Sequence, residues 1–184
     1  MPTWGWIVLA IVVVGAVVLA AAALLRARRT EALKGRFGPE YDRTVEGADS
    51  RRAGEADLRA REERHDEFEL RDLDPAAAER YREDWQRAQS DFVDDPSAAV
   101  SEADLIIQQV MRERGYPVED FDQRAADLSV DHPVVVENYR GAHQVAVSAF
   151  NGNATTEDLR GAMRRYRSLF DELVGTRART EVTG

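Results

Sequence analysis

The run from Trp4 to Leu25 contains no charged residue and no strong helix breaker. As an α-helix it would be about 33 Å long, against roughly 30 Å of hydrocarbon in a bilayer. Valine and isoleucine are mediocre helix formers in water, but in lipid a backbone must satisfy its own hydrogen bonds, and helix wins. Residues 4–25 are therefore read as one transmembrane helix and a single-pass anchor in the cell membrane. Trp4 and Trp6 suit one interfacial belt. Arg26, Arg28 and Arg29 close the other end, with Lys34 and Arg36 extending the basic flank. No Lys or Arg precedes the run, so the positive-inside rule puts the N-terminus outside and the C-terminal domain in the cytoplasm. A cleaved signal peptide is the rival reading, with Ala20 to Ala23 imitating a cleavage site. It lacks a basic n-region, and this apolar core is longer than a signal peptide usually has. Ala16 and Ala20 have the small-xxx-small spacing that lets membrane helices approach, though such spacing is common in apolar helices and ordinary alanine-rich filler is the better explanation.

The basic flank has a plain role as a topology signal. It could also hold anionic head groups at about 1 kcal/mol per residue near the surface. The protein as a whole is acidic, with a net charge of −9, which opposes a nucleic-acid partner. There is no cysteine, so disulfides, thiolate nucleophiles and cysteine metal sites are excluded. Lys34 is the only lysine among 25 basic residues. That bias, with abundant Ala, Val, Asp and Glu, suggests a GC-rich bacterial genome.

Residues 26–73 read as the basic flank followed by a charged helical spacer. Gly38 can stop the helix leaving the membrane, and Pro39 suits the first turn of the next one. From Pro39 to about Phe68 the chain is dense in Arg and Glu, which predicts a solvated helix or loose coiled coil. Gly47 and Gly54 weaken it as a rigid rod.

Residues 74–174 carry amphipathic helical stripes separated by start and stop signals. Asp74-Pro75 and Asp95-Pro96 are helix starts. Ala78, Tyr81, Trp85, Ala88 and Phe92 form one stripe. Val100, Ala103, Ile106, Ile107, Val110 and Met111 form the next, which Gly115 can end. Pro117 to Leu128 reads as a short helix or ordered loop. Asp131-His132-Pro133 reads as a further helix start, with Val136, Tyr139, His143, Ala146 or Val147, and Phe150 as its stripe. The last helix is capped by Thr155 or Thr156 and buries Leu159, Met163, Tyr166, Leu169, Phe170 and Leu173. No convincing strand pattern appears. The fold class is all-α: a transmembrane helix, a charged juxtamembrane helix and a small antiparallel helical bundle. Residues 175–184 read as a disordered tail.

No catalytic constellation emerges. His65 reads as solvated, His132 as part of a helix start, and His143 as a hydrogen-bonded core histidine. Eleven residues of helix would place His132 and His143 about 16 Å apart along the axis, too far to share a metal. Asp120 and Asp122 are expected to face water, and no calcium loop, phosphate loop or nucleophile elbow is present. No catalytic, cofactor-binding or metal residue is assigned.

Arg36-Phe37-Gly38-Pro39-Glu40-Tyr41-Asp42-Arg43, Phe92-Val93-Asp94-Asp95-Pro96, Arg114-Gly115-Tyr116-Pro117 and Asp131-His132-Pro133 together resemble a group of uncharacterised bacterial single-pass membrane proteins. These share the juxtamembrane segment and a C-terminal helical domain. The resemblance covers nearly all of the chain after the anchor. It implies a genuine folded module and carries no activity or cofactor.

The expectation is a membrane-tethered, non-enzymatic module that binds a protein partner or self-associates at the cytoplasmic face. Two alternatives stay open: an envelope-facing structural or stress-related protein, and a ligand-binding or hydrolytic domain around His132, Tyr139 and His143.

Overall fold

The computed structural model describes residues 4–175. The remainder of the expected tail lies outside the described residues. Every regular element among them is helical, as the apolar periodicity requires: α1 (Trp4–Phe37), α2 (Pro39–Gly47), α3 (Arg51–His65), α4 (Pro75–Asp91), α5 (Pro96–Arg114), α6 (Phe121–Asp131), α7 (Val136–Phe150) and α8 (Thr156–Val174). The chain divides into two compact units, Met1–Arg59 and Ala60–Gly184. The second begins before Asp74, because residues of α3 and of the following coil have side-chain partners inside it.

In the first unit, α1 runs 34 residues without a break, about 51 Å. Among the described residues it is the one helix long and apolar enough to cross a membrane. Its large apolar side chains, from Trp4 and Trp6 through Ile11 and Val18 to Leu25, stand exposed. As the Gly38-Pro39 pair suggested, the basic flank does not end it. The helix passes through Arg26, Arg28 and Arg29 and stops at Gly38, whose φ of +48° suits only a residue without a side chain. Pro39 then opens α2.

The segment after Gly38 is helical and mostly exposed, as its charge suggested, but not wholly solvated: Glu40, Tyr41, Gly54 and Leu58 are buried, as are Thr30, Leu33 and Phe37 near the end of α1. Ala48 to Ser50 breaks the segment into two helices, and Gly54 allows α3 to lie against α2. A Cβ on Gly54 would sit 2.8 Å from the Val45 Cα. Glycine here is a close-approach position, not a weak point.

In the second unit, α4, α5, α7 and α8 make an up-down-up-down bundle. Arg114 Nη1 donates to the Leu173 carbonyl at 2.9 Å, pinning the C-terminal ends of α5 and α8 together. Arg82 donates to the Gly175 carbonyl at 3.0 Å, Arg167 reaches Gln89, and Arg160 lies over Phe92, so α4 runs antiparallel to α8. The stripes meet as expected: Trp85 stacks on Phe170 at 4.6 Å, over a core including Val100, Ile106, Ile107, Val110 and Leu169. Phe68, Leu70 and Leu73, from the coil before α4, pack on this core.

The caps follow their residues. The Asp74 and Asp95 side chains accept from Ala76 and Ala98 amides, and Thr155 with Asp158 forms a reciprocal capping box. Gly115 (φ +96°) ends α5, and a Cβ there would lie 2.5 Å from the Glu69 carbonyl oxygen. Asp120 does face water, and it also caps α6 by accepting from the Gln123 amide. Two expectations shift. Asp131 ends α6 instead of opening the next helix, because the turn at His132 to Val134 intervenes before α7 starts at Val136. Phe150 is 93% exposed: Ala146 and Ala149 carry the end of α7 against the core, and Phe150, its last residue, is left outside.

Gly54→Ala is expected to cost about 1–3 kcal/mol, the usual price of overpacking. Faster amide exchange in α2 and the first turns of α3 of the full chain would report it. Unchanged exchange would mean that the two helices do not approach as described.

Candidate functional site

The basic flank is exposed. Arg26, Arg28, Arg29 and Arg36 lie on the surface of α1, and Lys34 pairs with Glu31 at 3.3 Å while its ammonium sits 5.8 Å from the Tyr41 ring centre. Beneath it, one oxygen of Glu55 collects three hydrogen bonds, from Thr30 (2.9 Å), Tyr41 (2.9 Å) and Arg51 (3.0 Å). Burial pushes this carboxyl up. The hydrogen bonds and the Arg51 charge outweigh it and leave Glu55 below its ordinary value. It therefore stays ionised and ties α1, α2 and α3 together.

In the second unit, polar side chains gather in three places. The first is a clasp between the end of α3 and α6. Arg61 donates to Ser129 at 3.2 Å, Arg64 lies 3.5 Å from Asp127, and His65 Nε2 lies 2.6 Å from Asp131 Oδ2. Tyr116 adds a 2.8 Å hydrogen bond to the same Asp131 oxygen. His65 is thus an engaged, largely covered side chain, not a solvated one. Its ring also meets Phe68 and Tyr116 at 5.7 and 6.4 Å. Burial raises Asp127, which is fully buried, despite help from Gln123 and the arginines. Burial also pushes Asp131 up, but hydrogen bonds from Tyr116 and His65 and the nearby histidine charge carry it below its ordinary value.

The second place lies inside the bundle. Asp104 from α5, Arg124 from α6, Tyr139 and His143 from α7 and Tyr166 from α8 act on one another electrostatically. Gln108 donates to one Asp104 oxygen at 2.7 Å. The other Asp104 oxygen, Arg124 Nε, His143 Nδ1 and both tyrosine hydroxyls are buried without a well-formed hydrogen bond, although Asp104 acts on the Tyr166 hydroxyl, and Arg124 on that of Tyr139, as loose partners. Phe121 stacks on the His143 ring at 3.6 Å and 9°. Burial, then the Asp104 charge, pushes both phenols far above their ordinary value. Burial lowers His143, with Asp104 opposing and Arg124 adding to the effect. At neutral pH the cluster presents neutral phenols and a neutral imidazole, groups that donate and accept hydrogen bonds.

His132 is not part of it. Its ring faces Glu172 on α8 at 3.6 Å and feels Asp131 and Arg114. The trio His132, Tyr139 and His143 therefore separates, with Tyr139 and His143 sharing one neighbourhood and His132 occupying another. Among the described residues no group of His, Asp and Glu could hold a metal ion.

The third place is a surface groove on the α4–α8 seam. Two cavities of about 380 and 310 Å³ adjoin through Gln89 and Arg167. Phe92 and Met163 line one, and Trp85 and Phe170 the other. Reading the sequence stripe by stripe passed over this groove. Arg160, Arg164 and Arg167 fall at i, i+4 and i+7, a basic stripe visible in the sequence, but the apolar floor is shared, with Trp85 and Phe92 on the α4 side and Met163 and Phe170 from α8. The chain matches no protein-family model, no curated protein and no solved structure.

Two outcomes test this geometry. Asp131, held below its unfolded value, gives stability that is complete above about pH 4 and lost as pH falls through its folded value. Asp131→Asn should therefore flatten that acid limb in urea midpoints measured against pH, and an unaltered limb would remove Asp131 from the clasp. Tyr166→Phe removes a buried hydroxyl that makes no well-formed hydrogen bond and should be neutral or stabilising by up to about 1–3 kcal/mol. A loss above about 1 kcal/mol in the same assay would show that the hydroxyl is bonded.

Proposed function

We propose that the chain is a single-pass membrane protein whose helical domain is a non-enzymatic binding module at the cytoplasmic face of the cell membrane. The observation that carries the reading is α1: its apolar half stands exposed along its length, and its polar half is tied into a folded cap through Glu55. Burying such a surface in lipid removes the cost of holding large apolar side chains in water, about 1.5–3 kcal/mol for each one fully covered. Arg26, Arg28 and Arg29 then sit just past the hydrocarbon, where the positive-inside bias assigns the cytoplasm. The partner is a protein or a second copy. The exposed apolar residues Val93 and Phe150 and the α4–α8 groove support docking.

A second reading has one observation in its favour. The polar atoms around Tyr139 and His143 that make no well-formed hydrogen bond suit a small hydrogen-bonding ligand. Under it, His143→Ala would abolish ligand binding without unfolding the domain.

Reporter fusions at the C-terminus, with carbonate extraction of membranes, test the main proposal. The expected result is a carbonate-resistant protein with a cytoplasm-active reporter. A periplasm-active reporter would reverse the orientation and favour an envelope-facing role, and release by carbonate would sink the anchor.

A further inference from the structure

We infer that the α4–α8 groove is a docking site for an acidic amphipathic helix of a protein partner. The inference rests on the binding-module reading above and names its surface and the partner's chemistry. Three features of the groove carry it.

The first is shape. The two adjoining cavities follow α8 from Arg160 to Val174, a path of about 21 Å, or roughly four helical turns. That matches a helix laid along a seam, with anchors every three or four residues.

The second is charge. Four arginines, Arg82, Arg160, Arg164 and Arg167, line the cavities, and three carboxylates answer them: Glu79 on Arg82, Asp171 on Arg167, and Glu157 shared by the other two, which leaves one guanidinium in excess. Arg160 and Arg164 lean on the same Glu157, so one carboxylate answers two guanidiniums. The protein carries −9 overall, so this strip runs against its global charge. Arginine forks favour carboxylates, and a partner helix with Asp or Glu flanking its apolar face would meet them.

The third is the apolar floor. Met163 is nearly buried and Phe92 half-buried beneath the arginines, and the guanidinium of Arg160 lies 5.9 Å from the Phe92 ring centre. The neighbouring Val93 is 83% exposed. An apolar floor with a basic rim suits an amphipathic peptide. A surface built for nucleic acid would instead place its aromatic rings where bases can stack.

Site-specific photocrosslinking in living cells tests the inference, with p-benzoylphenylalanine placed in the full chain at Gln89 in the groove and, separately, at the exposed Gln144 on α7. The expected outcome is capture at Gln89 of a protein segment rich in Asp and Glu with an apolar helical stripe. A synthetic peptide of that segment should then bind the full chain in zwitterionic nanodiscs, more weakly as salt rises. Binding should fall at least tenfold in Arg164→Glu with Arg160→Glu and largely survive Arg164→Lys. Both arginines are surface residues, so circular dichroism of the variants should match the wild type. Capture at Gln89 of lipid, of a second copy, of a segment without acidic residues or of nothing overturns the proposal. Charge reversal that leaves affinity within twofold overturns it as well. A protein captured at Gln144 alone would discard the groove and leave the binding-module reading standing, whereas a periplasmic reporter discards the cytoplasmic reading itself.

Discussion

Burial of α5 against α4, α7 and α8 takes Val100, Ile106, Ile107, Val110 and Met111 out of water together. At about 1.5–3 kcal/mol for each large side chain fully buried, this is the dominant favourable contribution in the C-terminal unit. The rest of that unit is arranged around it. The coil before α4 reaches the same core through Phe68, Leu70 and Leu73 and is held beside the end of α5 by the Arg71 amide on the Arg114 carbonyl, 3.0 Å away. Arg114 in turn joins the ends of α5 and α8. Because α5 is covered on several sides, Asp104 is drawn in beside Tyr139 and Tyr166, and a polar cluster arises inside an apolar bundle.

That cluster and the α3–α6 clasp handle buried polarity in opposite ways. In the clasp, Asp131 has partners on the atom that needs them and stays ionised. In the cluster, good hydrogen bonds reach only part of each group, and the tyrosines remain neutral because ionising them beside Asp104 out of water is costly. The difference is geometric. Asp131 sits at a helix end where neighbours can turn toward it, whereas Asp104 sits mid-helix with its side chain constrained by the packing.

Much of the fold was legible along the chain, because helix stripes and caps are local. Asp74, Asp95, Gly115 and Thr155 mark their helix ends by chemistry that needs only neighbouring backbone. The errors came where a residue's role depends on something distant. Gly54 looked like a flaw in a rod until Val45 was found against it, and His65 looked solvated until Asp131, 66 positions on, was found beside it. Phe150 failed in the other direction: it keeps the helical period, but α7 ends there with no neighbour to cover it.

The sequence alone determined that the protein is helical and that one apolar segment is long enough to span a bilayer, because both follow from periodicity and length within a short stretch. Its basic flank is equally local. The stop at Gly38-Pro39, past that flank, is local as well. Only the tertiary structure decided that the charged segment after it folds around Glu55, and that Tyr139 and His143 part company with His132. It also decided that α8's arginines rim an apolar floor that α4 and α8 build together. Each of these depends on which surfaces meet, and that is fixed by packing between residues far apart in the chain.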